Sequence, residues 1–373
     1  MVTRPICPPW DEASKNFAFD LAKKIPDHCF HLLTYGKLEH KPANVVEHPI
    51  YTSPSLRLSV GQKFRLLRFL ATRPGEIDIM HFLFTPSPIT THLIKKVALP
   101  SYMNKGNKTL RTIQTIATLN FTAVNKSNVS SYLFADRIVT HSDYSRLFLE
   151  KLGCHNVERI YPGIDIDTFK QKPRSQELAA KLNIKTHERV VLYTGEYVRL
   201  KASDLIADAL PLLAKEIPDV KLIFACRIKS REDIQKKKEI KQKINQSGFN
   251  DRVIYLETVA DMASLYSIAD AFIFPAAAMS GKFDIALTVL EAMATQIPVI
   301  INDIPPLNEV AQTPDCSVVK PLTTPNELAE AIALVLQDKK EADKMGKNGR
   351  ENVRRFFNID TQAARYADLY ENI

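Results

Sequence analysis

No uncharged apolar run in these 373 residues approaches the roughly 18–20 residues that a membrane-spanning helix needs. The opening stretch, MVTRPICPPWDEASK, has no apolar segment of the kind a secretory signal uses, so a cytoplasmic location is expected. Five cysteines (Cys7, Cys29, Cys154, Cys226, Cys316) are odd in number, scattered and never spaced CxxC. That argues against a disulfide framework and against a zinc site. Histidine stops at His187, the last of nine. Chemistry beyond that point must use carboxylates, amines, hydroxyls and the backbone. Neither an internal repeat nor a low-complexity tract interrupts the chain.

What is present is ordinary in amount but uneven in placement. Hydrophobic residues at 45% and charged residues at 25% match a globular protein and exclude wholesale disorder. The length favours two or three domains at roughly 100–200 residues each. The net charge is +8, and residues 1–170 hold all of it, with 22 Lys and Arg against 14 Asp and Glu; the other 203 residues carry 28 of each. A basic surface attracts phosphates, anionic lipid or nucleic acid. No RNA-binding aromatic signature or zinc-finger spacing accompanies it, so nucleic acid is not expected as a partner.

Short apolar runs alternate with helix-length periodic segments, which reads as α/β with mostly parallel strands. The first half offers strands at His31–Thr34, Ile77–Phe84, Leu110–Ala117 and Arg137–His141. Its helices fall at Asp11–Lys24, Ser59–Ala71, Thr90–Val97 and Val129–Ala135. After the break at Tyr161-Pro162-Gly163 a second series begins. Its strands are Val190–Thr194, Val220–Ala225, Val253–Leu256, Ala271–Pro275, Val299–Asn302 and Ser317–Val319. Helices are expected at Ala202–Lys215, Arg231–Ser247, Met262–Ala269, Ile285–Thr295 and Pro325–Gln337. Two domains follow, 1–168 and 169–355. The tail Gly346–Ile373 is helical in composition and dotted with Phe356, Phe357, Tyr366 and Tyr370; its last part, about 356–373, is expected to pack back on the first domain.

The stretch most suited to chemistry is Phe272–Val310. A strand there ends in a small-residue loop, followed by Lys282-Phe283-Asp284 and a helix rich in Ala, Leu and Met. Asp284 reads as the N-cap of that helix. The helix start, Ile285-Ala286-Leu287, would expose backbone N–H groups and partial positive charge, both suited to phosphate. Glu291 follows Asp284 by seven residues, roughly 10 Å along a helix at about 1.5 Å per residue, so both carboxylates could face one ligand. The plain alternative is that Asp284 only caps and Glu291 is solvated.

Several segments resemble, in order, the motifs of the family 4 retaining glycosyltransferases, the glycosyl transferases group 1 with the GT-B fold of two Rossmann-like domains. FDIALTVLEAMATQIPVI is similar to the family's signature helix. ADRIVTHSDYSRLFLEKLG, RIYPGIDIDTF, VVLYTGEYVRLKASDLIADAL and VADMASLYSIADAFIFPA resemble the segments that precede it. The departures are specific. The family's first signature Glu falls on Phe283, and its Arg after the glycine of the first C-terminal strand falls on Glu196. The N-terminal Gly-Gly falls on Glu12-Ala13, and an N-domain His falls on Ala117.

The resemblance implies transfer of a sugar from a nucleotide diphosphate sugar (UDP-, GDP- or ADP-linked) to an acceptor hydroxyl, with retention and with no bound metal or other cofactor. No DxD pair in a suitable loop contradicts this. Carried over residue by residue, it places the donor in a cleft between the domains. Gly195, Arg199, Lys201, Val259, Asp284, Ile285, Ala286, Leu287 and Glu291 line it. Lys201 stabilises the pyrophosphate, with Arg199 a candidate replacement for the missing arginine. Glu291 bonds the ribose, Asp284 reaches the sugar, and Val259 lies beside the base. The carbohydrate or lipid-linked acceptor is expected on the basic N-terminal domain near Trp10, Glu12, Ser14 and Lys15. His81, at a strand's C-terminal end, is a candidate contact or a structural histidine. The segment Leu56–Arg73 has the pattern of a basic amphipathic helix, fitted either to peripheral contact with an anionic membrane or to packing on the sheet. Two other readings stand beside the transferase. One is a glycosidase or phosphorylase, which needs paired cleft carboxylates. The other is a non-catalytic nucleotide-sugar-binding member, favoured by Phe283, Glu196 and Ala117.

Overall fold

The computed structural model describes residues 1–8, 10, 13–55, 58–72, 77–98, 110–279 and 281–373. The chain forms two compact units, Met1–Tyr161 together with Ile359–Ile373, and Pro162–Asn358.

The first unit is built on parallel strands. β1 (Phe30–Leu33) pairs with β2 (Val45–His48), and β3 (Ile79–Leu83), β4 (Arg111–Ile116), β5 (Arg137–Thr140) and β6 (Val157–Arg159) pair in that order. The first six residues link the two sheets. The Val2 amide donates to the His81 carbonyl, the Leu83 amide to the Val2 carbonyl, and the Ile6 amide to the Leu33 carbonyl. The amino-terminal segment therefore bridges β1 and β3 through isolated backbone pairs. Patterning does not disclose it, because Pro5 and a short run hide it. β2 and β6, of four and three residues, are likewise unforeseen.

The helices of this unit follow the expected segments with two exceptions. α1 (Ala13–Lys24), α2 (Val60–Thr72) and α3 (Pro88–Leu93), which runs on as a π-turn over Ile94–Ala98, match them. The expected helix Val129–Ala135 is only a 3-10 turn, Val129–Ser131. Side chains explain this. Asn125 accepts from the Ser127 amide and Asn128 from the Asn125 amide, offering the backbone a competing turn. α4 (Asp143–Lys151) is a helix the apolar pattern leaves unmarked; Ser142 caps it by accepting from the Ser145 amide at 3.0 Å.

The second unit is a six-stranded parallel sheet. Its strands are β7 (Arg189–Gly195), β8 (Val220–Cys226), β9 (Val253–Leu256), β10 (Ala271–Phe274), β11 (Val299–Asn302) and β12 (Val318–Lys320). Their order, β12-β11-β10-β7-β8-β9, is the doubly wound arrangement with its switch point between β10 and β7. β10 and β11 are buried throughout, as strands covered on both faces must be, which is why they read as unbroken apolar runs. The helices are α5 (Gln176–Lys181), α6 (Ser203–Glu216), α7 (Arg231–Gln246), α8 (Met262–Ser267), α9 (Leu287–Ala294), α10 (Pro325–Gln337) and α11 (Lys339–Phe356).

The helical tail is two helices. α11 ends where Phe357, fully buried, leaves helical geometry, and the Ile164 amide donates to its carbonyl at 2.9 Å. α12 (Ile359–Glu371) then belongs to the first unit, where Tyr366, Leu369 and Tyr370 pack with Phe17 and Leu21 of α1 and Ile113 and Val139 of the sheet. Among the described residues no helix is long and apolar enough to cross a membrane.

Candidate functional site

The loops leaving β7, β8 and β10 meet at the carboxyl edge of the second unit's sheet, the edge where open α/β sheets take ligands. β7 ends at Gly195. A Cβ there would lie 2.8 Å from both Leu200 Cδ1 and Tyr193 Oη, so any other residue would have to displace the ends of these two side chains. Glu196 follows, 3% exposed, with Lys229 Nζ 2.6 Å and Lys282 Nζ 2.8 Å from Oε1 and Arg199 Nε 3.3 Å from Oε2. Burial alone would raise this carboxyl; Lys282 and Lys229 reverse that and hold it at about 2, so it is ionised at any physiological pH. Arg199 also donates to the Gly281 carbonyl at 3.1 Å.

The scaffold behind these cations is Asp233, in the first turn of α7. Its carboxylate accepts from the amides of Val198 (3.3 Å), Lys229 (3.1 Å) and Ser230 (3.1 Å), tying the loops after β7 and β8 together. Lys201 sits just before α6 with φ 52°, its side chain exposed. A non-glycine residue held in the left-handed region carries local strain, and such residues concentrate at functional sites.

The helix expected from Ile285 begins later. α9 starts at Leu287, and its N-cap is Ala286, which makes no side-chain capping bond. Asp284 is therefore not the N-cap. It is a buried residue of the loop before the helix, so it and Glu291 do not share one helical face across two turns. Ile285 and Ala286 also precede the helix, and of the three expected amides only Leu287 is a helical one. Glu291 lies on α9, half-buried, and accepts from the Tyr266 hydroxyl at 2.8 Å; Tyr266 Oη also lies 3.2 Å from the Thr288 carbonyl. Burial raises the Glu291 carboxyl to about 7, against the opposing effect of the Tyr266 bond. Val259 is half-buried in the loop between β9 and α8, where Asp261 caps α8 through the Ser264 amide.

Sequence reasoning overlooked Tyr266, Lys229 and Asp233. The signal available for Asp233 was the Ser230-x-x-Asp233 capping box.

In the first unit the expected acceptor residues have varied surroundings. Trp10 is exposed against Phe19, with ring centroids 4.6 Å apart; Ser14 is half-buried and Lys15 is buried on α1. Glu12 lies outside the described residues. His81 is buried, with Nδ1 2.8 Å from Tyr370 Oη and Nε2 2.7 Å from Thr115 Oγ1, and its ring stacks on Tyr366. Burial lowers its pKa to about 3, so it is a neutral core group whose two nitrogens already have partners. His141, also buried, is lowered to about 3 by the same cause and packs beside Phe17.

Known proteins resemble this chain in sequence and in fold. Residues 174–352 match the family model described as "Glycosyl transferases group 1". A Mycobacterium tuberculosis protein named GDP-mannose-dependent alpha-(1-6)-phosphatidylinositol monomannoside mannosyltransferase is 26% identical over 241 residues, covering 63% of this chain and 61% of that protein. The chain thus spans under two thirds of that relative. N-acetyl-alpha-D-glucosaminyl L-malate synthase of Bacillus anthracis is 21% identical over 364 residues, 95% of this chain and 87% of its own length. The crystal structure of Anabaena HepE in complex with UDP-glucose superposes with a TM-score of 0.77 at 16% identity, over 100% of this chain and 98% of its own. Sucrose-phosphate synthase from Thermosynechococcus elongatus superposes at 0.72 with 19% identity, over 96% and 92%. Residues 174–352 thus resemble the glycosyl transferases group 1 family, and the switch-point sheet and these superpositions show a GT-B fold.

Proposed function

We propose that this chain moves a sugar from a nucleotide diphosphate sugar to an acceptor hydroxyl, with retention of anomeric configuration and without a bound metal. The observation that carries this reading is the carboxyl edge of the second unit. There Lys201, Arg199 and the start of α9 offer positive charge, and Glu291 lies on the same helix as that start. Glycosyl transfer builds negative charge on the departing diphosphate. Fixed cations and helix amides aimed at that group stabilise the transition state more than the ground state. In this reading Lys201 acts on the diphosphate, the Leu287 and Thr288 amides assist it, and Glu291 accepts from the ribose hydroxyls. Asp284 and Val259 border the sugar and the base, and the acceptor is held by the first unit near Trp10 and Ser14.

The test is product analysis in EDTA. UDP-glucose, the donor in the Anabaena crystal structure, and GDP-mannose, the donor in the mycobacterial relative's name, are each incubated with the protein alone and with candidate carbohydrate or lipid-linked acceptors. Nucleoside diphosphate release, with a product of unchanged anomeric configuration by proton NMR, supports the reading. An inverted product, or activity only after metal addition, overturns its mechanistic part. Tight donor binding without turnover favours instead a non-catalytic member, to which Phe283 and Ala117 at the family's Glu and His positions lend support.

We also propose that the first unit meets an anionic membrane surface. Residues 48–135 hold eleven Lys or Arg and only two acids, Glu76 and Asp78. On α2 the inner face, Leu66, Phe69 and Leu70, packs with Tyr51 and Phe82, while Val60 (84% exposed) and Phe64 (66%) stand outward among Lys63, Arg65 and Arg68. Outward apolar side chains flanked by Lys and Arg are the pattern of a helix that lies on an anionic surface.

A further inference from the structure

Three cations answer one carboxylate at Glu196. They arrive from three separate loops: Arg199 after β7, Lys229 after β8 and Lys282 after β10, at the ends of strands adjacent in the order β10-β7-β8. The carboxylate is buried, whereas Arg199, Lys229 and Lys282 remain partly exposed, so the group turns its positive side outward. Asp233, the other acid packed here, is engaged by the backbone amides of Val198, Lys229 and Ser230. The charge excess is thus positive. Without a central anion, three cations this close would repel one another and splay into solvent.

We propose that Arg199, Lys229 and Lys282 form a binding site for the diphosphate of the donor, and that Glu196 is its positioning residue, holding the three cations at one place. The proposal rests on reading the chain as a nucleotide-sugar enzyme. Two further features support it. Arg199 reaches on to the Gly281 carbonyl and Lys282 lies next to Gly281, so the same carboxylate fixes the loop that leads into Asp284 and α9. Lys282 is depressed by its burial, and Glu196 is the main influence opposing that, so the carboxylate also favours the charged form of this amine. The diphosphate of a nucleotide sugar carries an anionic oxygen on each phosphate and gains a further negative charge as the sugar departs, and a cluster of ammonium and guanidinium donors suits it better than a single lysine.

The experiment is calorimetric titration of inorganic pyrophosphate, UDP and GDP into the wild type and into Lys229→Met, Lys282→Met, Glu196→Gln and the double variant Glu196→Gln/Lys282→Met. A thermal melt of each variant confirms that it is folded. The expected result is that each lysine substitution weakens diphosphate binding by about tenfold or more, with a shallower salt dependence. Glu196→Gln also weakens it, although it removes a negative charge. In the Glu196→Gln background, losing Lys282 costs clearly less than in the wild type, because the glutamate acts through the lysine.

Affinity unchanged within twofold in both lysine variants, with only the melting temperature lowered, would reduce the cluster to a brace and overturn the proposal. Tighter binding by Glu196→Gln would overturn it too, since Glu196 would then compete with the anion. Nucleotide binding that ignores both lysines sinks this proposal and spares the transferase reading. Lysine-dependent pyrophosphate binding without any nucleotide binding sinks the transferase reading and the donor assignment with it, leaving only an anion site, and a wild type that binds none of the three ligands sinks both.

Discussion

Glu291 makes a residue-scale prediction whose sign is fixed by its surroundings. Its carboxyl titrates at about 7 in the fold, against an ordinary value of 4.5. The folded state therefore holds this proton more tightly than the unfolded chain, and stability falls as pH climbs from about 4.5 through about 7; below that window the cost is absent. Glu291→Gln is free of this cost. It should gain on the wild type in urea-melt stability between pH 5 and pH 8, by at most about 3 kcal/mol. Donor binding should run the opposite way. An ionised Glu291 accepts the ribose hydroxyls better, so wild-type affinity for a nucleotide sugar should rise across pH 6–8 while that of Glu291→Gln stays level. A wild type and variant with parallel stability curves would mean that Glu291 titrates normally. Little of this was legible in the sequence. Glu291 stood out by its place in the signature helix, but its hydrogen-bond partner, Tyr266, is 25 positions away, and a hydrogen bond across that separation leaves no periodic trace.

At the scale of elements, legibility followed the strength of local signals. β9, β11 and α10 have the bounds their residues announce: unbroken apolar strands, and for α10 a Thr324–Glu327 capping box with Pro325 in the first turn. The amino-terminal bridges and β6 escaped because pairing with neighbours, not their own pattern, sets their extended course. The start of α9 was misplaced because Asp284 is a good capping residue in composition but is buried in the loop instead. Two glycines test how tightly elements are packed. A Cβ on Gly195 meets the movable ends of Leu200 and Tyr193, whereas one on Gly346 of α11 collides with the backbone carbonyl of Gln296, itself fixed at φ 63°. Gly195→Ala should cost about 1–3 kcal/mol and Gly346→Ala more, since backbone cannot step aside as a side chain can. Equal melting temperatures for the two variants in calorimetry would contradict this packing.

Over the whole molecule, the charge split between the halves of the chain acquires a location. The basic excess lies in the first half, with its acid-poor stretch 48–135 on the first unit, while Glu196 and its cations belong to the second unit, which is close to neutral overall. The sequence disclosed the excess but not its use, because burial decides which cations reach solvent. Flotation with vesicles tests the membrane reading. Binding to vesicles rich in phosphatidylglycerol, absent with phosphatidylcholine alone, should drop with Phe64→Ser and with Lys63→Gln/Arg65→Gln/Arg68→Gln, since each basic residue near such a surface contributes about 1 kcal/mol. Unchanged flotation in both variants would contradict it.

The assignment of the second unit as the donor site is exposed most directly by a thermal-shift panel of UDP-, GDP- and ADP-sugars in EDTA, run on the wild type and on Glu291→Ala. A ligand that binds only the folded state stabilises it by about 2.7 kcal/mol at 100 times its dissociation constant. One nucleotide series should raise the wild-type melting temperature, and Glu291→Ala should lose that rise. A wild type unmoved by every donor would contradict the donor site.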